Sequence, residues 1–131
     1  MHQAANIFQR LFGTLLIIFV GMYLIEWEPP PIAAEAEPLW DAIIGTGYIM
    51  PIVILTYGIS GIAFLVNRFA PLAAVLLTPV SLNIFLFHSF LNPSSIPFAA
   101  TFLVCNALIL YIHRGSYSEL LSPARPPGSN Q

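Results

Sequence analysis

Three polar side chains stand inside long apolar runs of this chain: Tyr57, Asn83 and Asn106. Counted inward from the ends of their runs, at about 1.5 Å per helical residue, each lies about 12–13 Å deep. They come from three different segments and share one layer. A polar group in hydrocarbon seeks a partner, because leaving it unpaired is costly. Such a layer has two readings. It is an interhelical hydrogen-bond network, worth about 0.6 kcal/mol per bond, or it holds the polar head of a quinone or other lipid-like ligand. The network is the simpler reading, since no ionisable group accompanies the three.

His88 and Glu26 fall at the same end of their runs. A histidine–carboxylate pair there could relay protons or bind a quinone carbonyl, which makes the two the candidate catalytic residues. The plainer reading is a wet interfacial histidine. His113 sits at the opposite end of the last run. More than about 20 Å of helix separates its level from that of His88, so the two do not share a haem. His2 is close to the terminus. No spacing of metal ligands emerges, and neither a metal nor an intrinsic cofactor is expected. Cys105 is the only cysteine, which excludes an intrachain disulfide and dithiol redox chemistry. It reads as a small packing residue beside Asn106. Ser81 and Ser89 flank His88 only in sequence and define no nucleophilic triad.

The elements that position these residues follow from composition. Hydrophobic residues make up 57% of the 131 and charged residues 8%, and the mean hydropathy is +0.81. A soluble domain carries roughly 25% charged residues. A chain this short cannot hide so much apolar surface from water. A disordered chain is excluded too, because disorder needs low hydrophobicity and high charge. With four Arg and no Lys, the chain lacks the basic face of a nucleic-acid binder. The composition reads as an integral membrane protein whose first partner is the lipid bilayer.

Charge positions then divide the chain. Residues 11–25, 42–67 and 69–113 are uncharged. A span needs about 20 apolar residues, so the gaps hold one, one and two spans. The predicted spans are 8–25, 48–66, 71–91 and 97–113, an all-α, polytopic four-helix membrane bundle. Four spans put both termini on one side, together with Arg10, Arg68, Arg114 and Arg125. Glu26, Glu28, Glu35, Glu37 and Asp41 fall on the other. Cytoplasmic loops collect Arg and Lys, so both termini are expected inside and loop 26–47 outside. The first run could instead be a signal peptide, with Ala34-Glu35-Ala36 as its cleavage pattern. It is longer than a normal signal core and is read as a span.

Within the outer loop, Pro29, Pro30 and Pro31 favour a stiff, extended exit from the bilayer. Pro38 suits the first turn of a short helix over 38–44, ended by Gly45 and Gly47. Leu39, Trp40, Ile43 and Ile44 share one face of it, as in an interfacial helix with Trp40 at headgroup depth. Pro79, inside the third span, should kink it. Ser95 is placed to cap the fourth span. Gly13 and Gly21 on the first span, and Gly58 and Gly61 on the second, read as surfaces for close helix packing. Residues 1–114 form the membrane domain. Residues 115–131, rich in Ser, Pro and Gly, read as a flexible tail.

The stretch 42–114 resembles the DoxX-like (DoxX/DoxD) membrane proteins. The resemblance is carried by Gly45-Thr-Gly-Tyr-Ile-Met-Pro51, Asn67-Arg-Phe-Ala-Pro71-Leu-Ala, Pro79-Val-Ser-Leu-Asn83-Ile-Phe-Leu-Phe-His88, Leu91-Asn-Pro93 and His113-Arg114. It covers over half the chain, and the first span matches in position and hydrophobicity alone. It implies four spans with an interfacial outer helix, in a bacterial cytoplasmic membrane. It also implies kinship with small subunits of thiosulfate:quinone oxidoreductase, redox-defence partners or assembly chaperones. Where such relatives carry a Lys and a Glu in the second span and a Glu in the fourth, this chain has Ile54, Tyr57 and Asn106. Asn83 and His88 match.

Three functions compete. One is an accessory or scaffold subunit of a larger membrane complex, respiratory or redox, with no chemistry of its own and other membrane subunits as partners. Another is a quinone-linked oxidoreductase subunit with Tyr57, Asn83 and His88 around the quinone. The third is a small transporter or lipid-binding module. The missing intramembrane charges favour the first.

Overall fold

The computed structural model describes residues 2–123. Helix α1 is His2–Leu24, α2 Glu37–Gly45, α3 Ile49–Val66, α4 Ala70–Leu91 and α5 Ile96–Ile112. Short 3-10 turns cover Pro93–Ser95 and Arg114–Tyr117. Helices α1, α3, α4 and α5 with its leading turn are long and apolar enough to cross a membrane. The chain is an integral membrane four-helix bundle.

Most boundaries lie within a residue or two of the apolar pattern, and α1 is the exception. It starts at His2, six residues before the expected 8. A span needs apolar residues only where it meets hydrocarbon, and Gln3, Ala4 and Ala5 are good helix formers that let the helix run on into water. Helix α2 has an acid, Glu37, in its first turn and a proline at its start. Both suit an N-terminus, where the helix dipole favours negative charge and an N–H is dispensable. Gly47, after its end, has φ +70°, which glycine adopts without strain. Trp40 turns inward, its ring centroid 6.4 Å from that of Phe87 on α4. Helix α4 continues through Pro79.

The helices pack in the order α1, α3, α4, α5, each chiefly on the next. The ring closes from α5 to α1 through aromatic side chains. Phe12 lies 5.2 Å from Phe102 and Phe19 lies 5.9 Å from Phe98, both edge to face, the favoured geometry of ring quadrupoles. Between α1 and α3 the backbones themselves meet. A methyl group on Gly13 would lie 2.9 Å from the Gly61 carbonyl oxygen and 2.9 Å from Phe64 Cβ. One on Gly61 would meet the Gly13 carbonyl oxygen at 3.0 Å and Ile17 Cδ1 at 2.9 Å. Lipid tails match an apolar side chain as well as another helix does, so such van der Waals fit is a main force between spans.

Not every glycine singled out in the sequence takes part. Gly21 faces open space, and a methyl on Gly58 would make only ordinary contact with Val20 at 3.9 Å. Gly21 lies eight residues along from Gly13, beyond the point where α1 and α3 approach most closely. Near the other terminus, the segment expected to be a free tail folds back. The Tyr117 hydroxyl donates to the Pro71 carbonyl at 3.0 Å. Burial pushes that phenol's pKa above its ordinary 10.0. The rest of the expected tail from residue 124, Arg125 included, lies outside the described residues.

Gly13→Ala is expected to cost about 1–3 kcal/mol, because backbone obstructs the added methyl and the helices must separate. Gly61→Ala should cost a similar amount, because the Gly13 carbonyl oxygen stands 3.0 Å from the added methyl even after the flexible end of Ile17 has moved. Gly21→Ala should be neutral or mildly stabilising through helix propensity. Thermal unfolding of the three variants in one detergent checks the order. Equal melting temperatures for Gly13→Ala and Gly21→Ala would refute the close approach.

Candidate functional site

Polar side chains are enclosed at three levels of the bundle, and each level ties a different set of elements together. At the end where the turn between α3 and α4 lies, Gln9 is 1% exposed and at the centre. Its Nε2 donates to the Phe64 carbonyl at 3.0 Å and to Asn67 Oδ1 at 3.0 Å. Its Oε1 accepts from His113 Nε2 at 2.6 Å. The Phe64 carbonyl can only accept, so it fixes the orientation of the Gln9 amide, and the imidazole must therefore carry its proton on Nε2. Asn67 is held in place by its backbone. It ends α3 in the left-handed conformation, φ 54°, with the Arg68 N–H returning to the Ala63 carbonyl at 3.1 Å. Asparagine tolerates this helix ending better than other residues with side chains. One amide thus joins α1, α3 and the end of α5.

Mid-bundle, Asn106 on α5 is also 1% exposed. Its Nδ2 donates to Thr78 Oγ1 at 3.0 Å and to Ser81 Oγ at 3.2 Å, both on α4. Each hydroxyl gives its own proton away, Thr78 to the Ala74 carbonyl at 2.8 Å and Ser81 to the Thr78 carbonyl at 3.0 Å. Both oxygens are left as acceptors, which forces the amide to present its NH2. Asn106 Oδ1 is consequently buried without a partner. Beside this level, Ser60 of α3 donates to the Ala73 carbonyl of α4 at 3.4 Å.

At the α2 end, Asn92 is the hub. The Ala33 N–H donates to its Oδ1 at 3.2 Å, and Ser94 Oγ donates there at 3.3 Å. With Oδ1 so oriented, Nδ2 faces His88 Nδ1 at 3.2 Å and Ser95 Oγ at 3.4 Å. Nδ1 is the acceptor and the imidazole proton sits on Nε2. The loop between α1 and α2 is thereby pinned to the turn between α4 and α5. Ser95, expected to cap α5, makes no capping bond and accepts from Asn92 instead.

The polar layer of Tyr57, Asn83 and Asn106 does not form as one network. Tyr57 is buried among rings, 6.1 Å from Phe19 and 5.8 Å from Phe102. Asn83 is exposed. Depth along a helix follows from residue count, but facing follows from packing. Helix α4 buries Ala70, Ala73, Ala74, Leu77 and Ser81, and two residues on from Ser81 the helix has turned about 200°. His88 and Glu26 do not pair either. Glu26 is exposed and ends α1 with φ 53°. The Trp27 N–H returns to the Met22 carbonyl and the Glu26 N–H to that of Tyr23, the Schellman helix ending. Cys105 is free and half-buried. Among the described residues, no three His, Cys, Asp or Glu gather where a metal could be held.

The residues that do converge, Gln9, Asn67, His113, Thr78, Ser81 and Asn92, were missed from sequence. One usable signal existed for Gln9. It precedes Phe12, Gly13 and Leu16 by three, four and seven residues, and so lies on the packed stripe of α1.

Asn106→Asp should destabilise the bundle more than Asn106→Leu. Aspartate would face two hydroxyls whose protons are engaged elsewhere, whereas leucine removes the orphaned oxygen along with the two bonds. Reversible unfolding in mixed micelles measures the order, and a reversed order would overturn the assigned amide orientation. A second expectation concerns pH. Burial lowers the His113 pKa below its ordinary 6.5. The unfolded chain then protonates first, so stability is complete above 6.5 and falls as pH drops toward the folded value. His113→Gln should remove that loss. A pH-independent difference in melting temperature between the two proteins from pH 7.5 to 5 would contradict it.

Set beside known proteins, the chain matches no family model, no curated protein and no solved structure.

Proposed function

We propose that this chain is a DoxX-like accessory or scaffold subunit of a larger membrane complex, respiratory or redox in character, with no chemistry of its own. The observation that carries the reading is the use of its enclosed polar groups. Gln9, Asn92 and Asn106 each bond across elements, and the imidazoles of His88 and His113 are engaged by amides. A reaction site needs an acid, base or ligand free to meet a substrate. These side chains tie helices together instead. Tyr57, Asn83 and His88, the group proposed for a quinone head, face three different surroundings, which weighs against the quinone-linked alternative.

The setting proposed is the bacterial cytoplasmic membrane, with both termini in the cytoplasm. Arg10, Arg68 and Arg114 lie at the Gln9 end of the bundle and the acids from Glu26 to Asp41 lie toward the other, the asymmetry that the positive-inside rule reads.

Purification of the tagged chain from native membranes in mild detergent, followed by native gel electrophoresis, tests the proposal. Co-migration with stoichiometric subunits of other sequence is expected. A chain that migrates only by itself or with copies of itself would overturn it.

A further inference from the structure

Helix α4 carries a second pattern on the face it turns away from the bundle. Leu72, Leu76, Pro79, Asn83, Leu86 and Phe90 recur at alternating steps of four and three residues, the seam of a heptad repeat. All six are exposed, Phe90 to 79% and Leu72 to 58%. The buried residues Ala70, Ala74, Leu77 and Ser81 lie on the opposite side of the same helix. Exposed leucines on a span are ordinary, since lipid is as apolar as they are. Asn83 is not ordinary. It lies well inside the span with no water to bond, and the bonded side chains of α4, Thr78, Ser81 and His88, do not include it among the described residues.

We infer that this face is a self-association surface, and that its occupant is α4 of a second copy of the chain. Two features select a second copy. An amide both donates and accepts, so it is complementary to itself. Copies inserted in the same orientation can be related by a two-fold axis along the membrane normal. This axis sets α4 parallel to its symmetry mate and brings each seam residue opposite its own equivalent. Asn83 then meets Asn83 of the other copy and the unpaired amide is satisfied, as a single asparagine at a seam position sets register and partner in coiled coils. Leu76 and Leu86 pack above and below it. The inference is independent of the proposed function, since a dimer can form with or without other subunits.

The test uses the full-length chain in liposomes with Cys105→Ser as background. Asn83→Cys and Leu86→Cys should form disulfide-linked dimers on mild oxidation, while Val104→Cys, exposed on α5, should not. In a fluorescence energy-transfer assay, Asn83→Leu should weaken dimerisation about tenfold, the equivalent of about 1.4 kcal/mol, and Asn83→Gln should restore most of it. Asn83 is exposed, so neither change disturbs the packed interior of one chain. Three results would overturn the inference: equal cross-linking at Val104→Cys, energy transfer unchanged by Asn83→Leu, or monomer at every protein-to-lipid ratio. Cross-linking of Asn83→Cys in native membranes solely to a polypeptide of different sequence would also overturn the choice of a second copy.

Discussion

The close approach of α1 to α3 at Gly13 and Gly61 is the constraint from which much of the remaining structure follows. With side chains at both positions the helices would stand farther apart. With none, each backbone comes within van der Waals contact of the other, and Phe64 stacks on Phe12 at 6.0 Å. The same approach carries Gln9, one turn before Gly13, within hydrogen-bond reach of the Phe64 carbonyl and of Asn67. A bond from a buried amide to a backbone carbonyl on another helix leaves little room for rotation or sliding of either. Apolar contact selects the distance between the helices, and the amide selects their register.

Elsewhere in the bundle the same division recurs. Helices α4 and α5 are joined by a polar contact, Asn106 to Thr78 and Ser81, set among small and aromatic residues. Away from the Gln9–His113 bond at one end, helices α1 and α5 meet through Phe12, Phe19, Phe98 and Phe102. Ring packing tolerates small sliding because it is weakly directional, whereas an amide donating to two hydroxyls does not. The α1–α5 seam is therefore the softer side of the bundle. The orphaned Asn106 oxygen shows what geometric fixity costs: two hydroxyls that satisfy backbone carbonyls have no proton left for it.

Function in such a protein depends on where polar atoms are left free. Inside the bundle Gln9, Asn92 and Asn106 are engaged across elements, while among the described residues the Asn106 oxygen is left over and the hydroxyl of buried Tyr57 makes no hydrogen bond. On its outside Asn83 is not engaged. The proposed scaffold role rests on this use of its polar groups, since an intramembrane reaction needs a group that changes charge or protonation beside its substrate.

Much of the architecture was legible in the residues alone. Ten charges and the gaps between them give four spans, because hydrocarbon admits helices of one approximate length and excludes unpaired charge. Proline and glycine positions located the short helix α2. The faces were not legible. Tyr57, Asn83 and Asn106 have similar depths, and depth is a matter of counting, but hydropathy along a span is nearly uniform because lipid and protein neighbours are equally apolar. No amphipathic stripe therefore says which side of α4 meets its neighbours. Packing decided that Ser81 turns inward and Asn83 outward, that Gly13 meets Gly61 while Gly21 meets nothing, and that His113, just beyond the end of α5, closes on a glutamine near the chain's beginning. Sequence alone determined how many helices are long and apolar enough to cross a membrane. The tertiary structure alone settled which polar groups are used up within it, because that depends on helix rotation, to which a uniformly apolar span gives no clue.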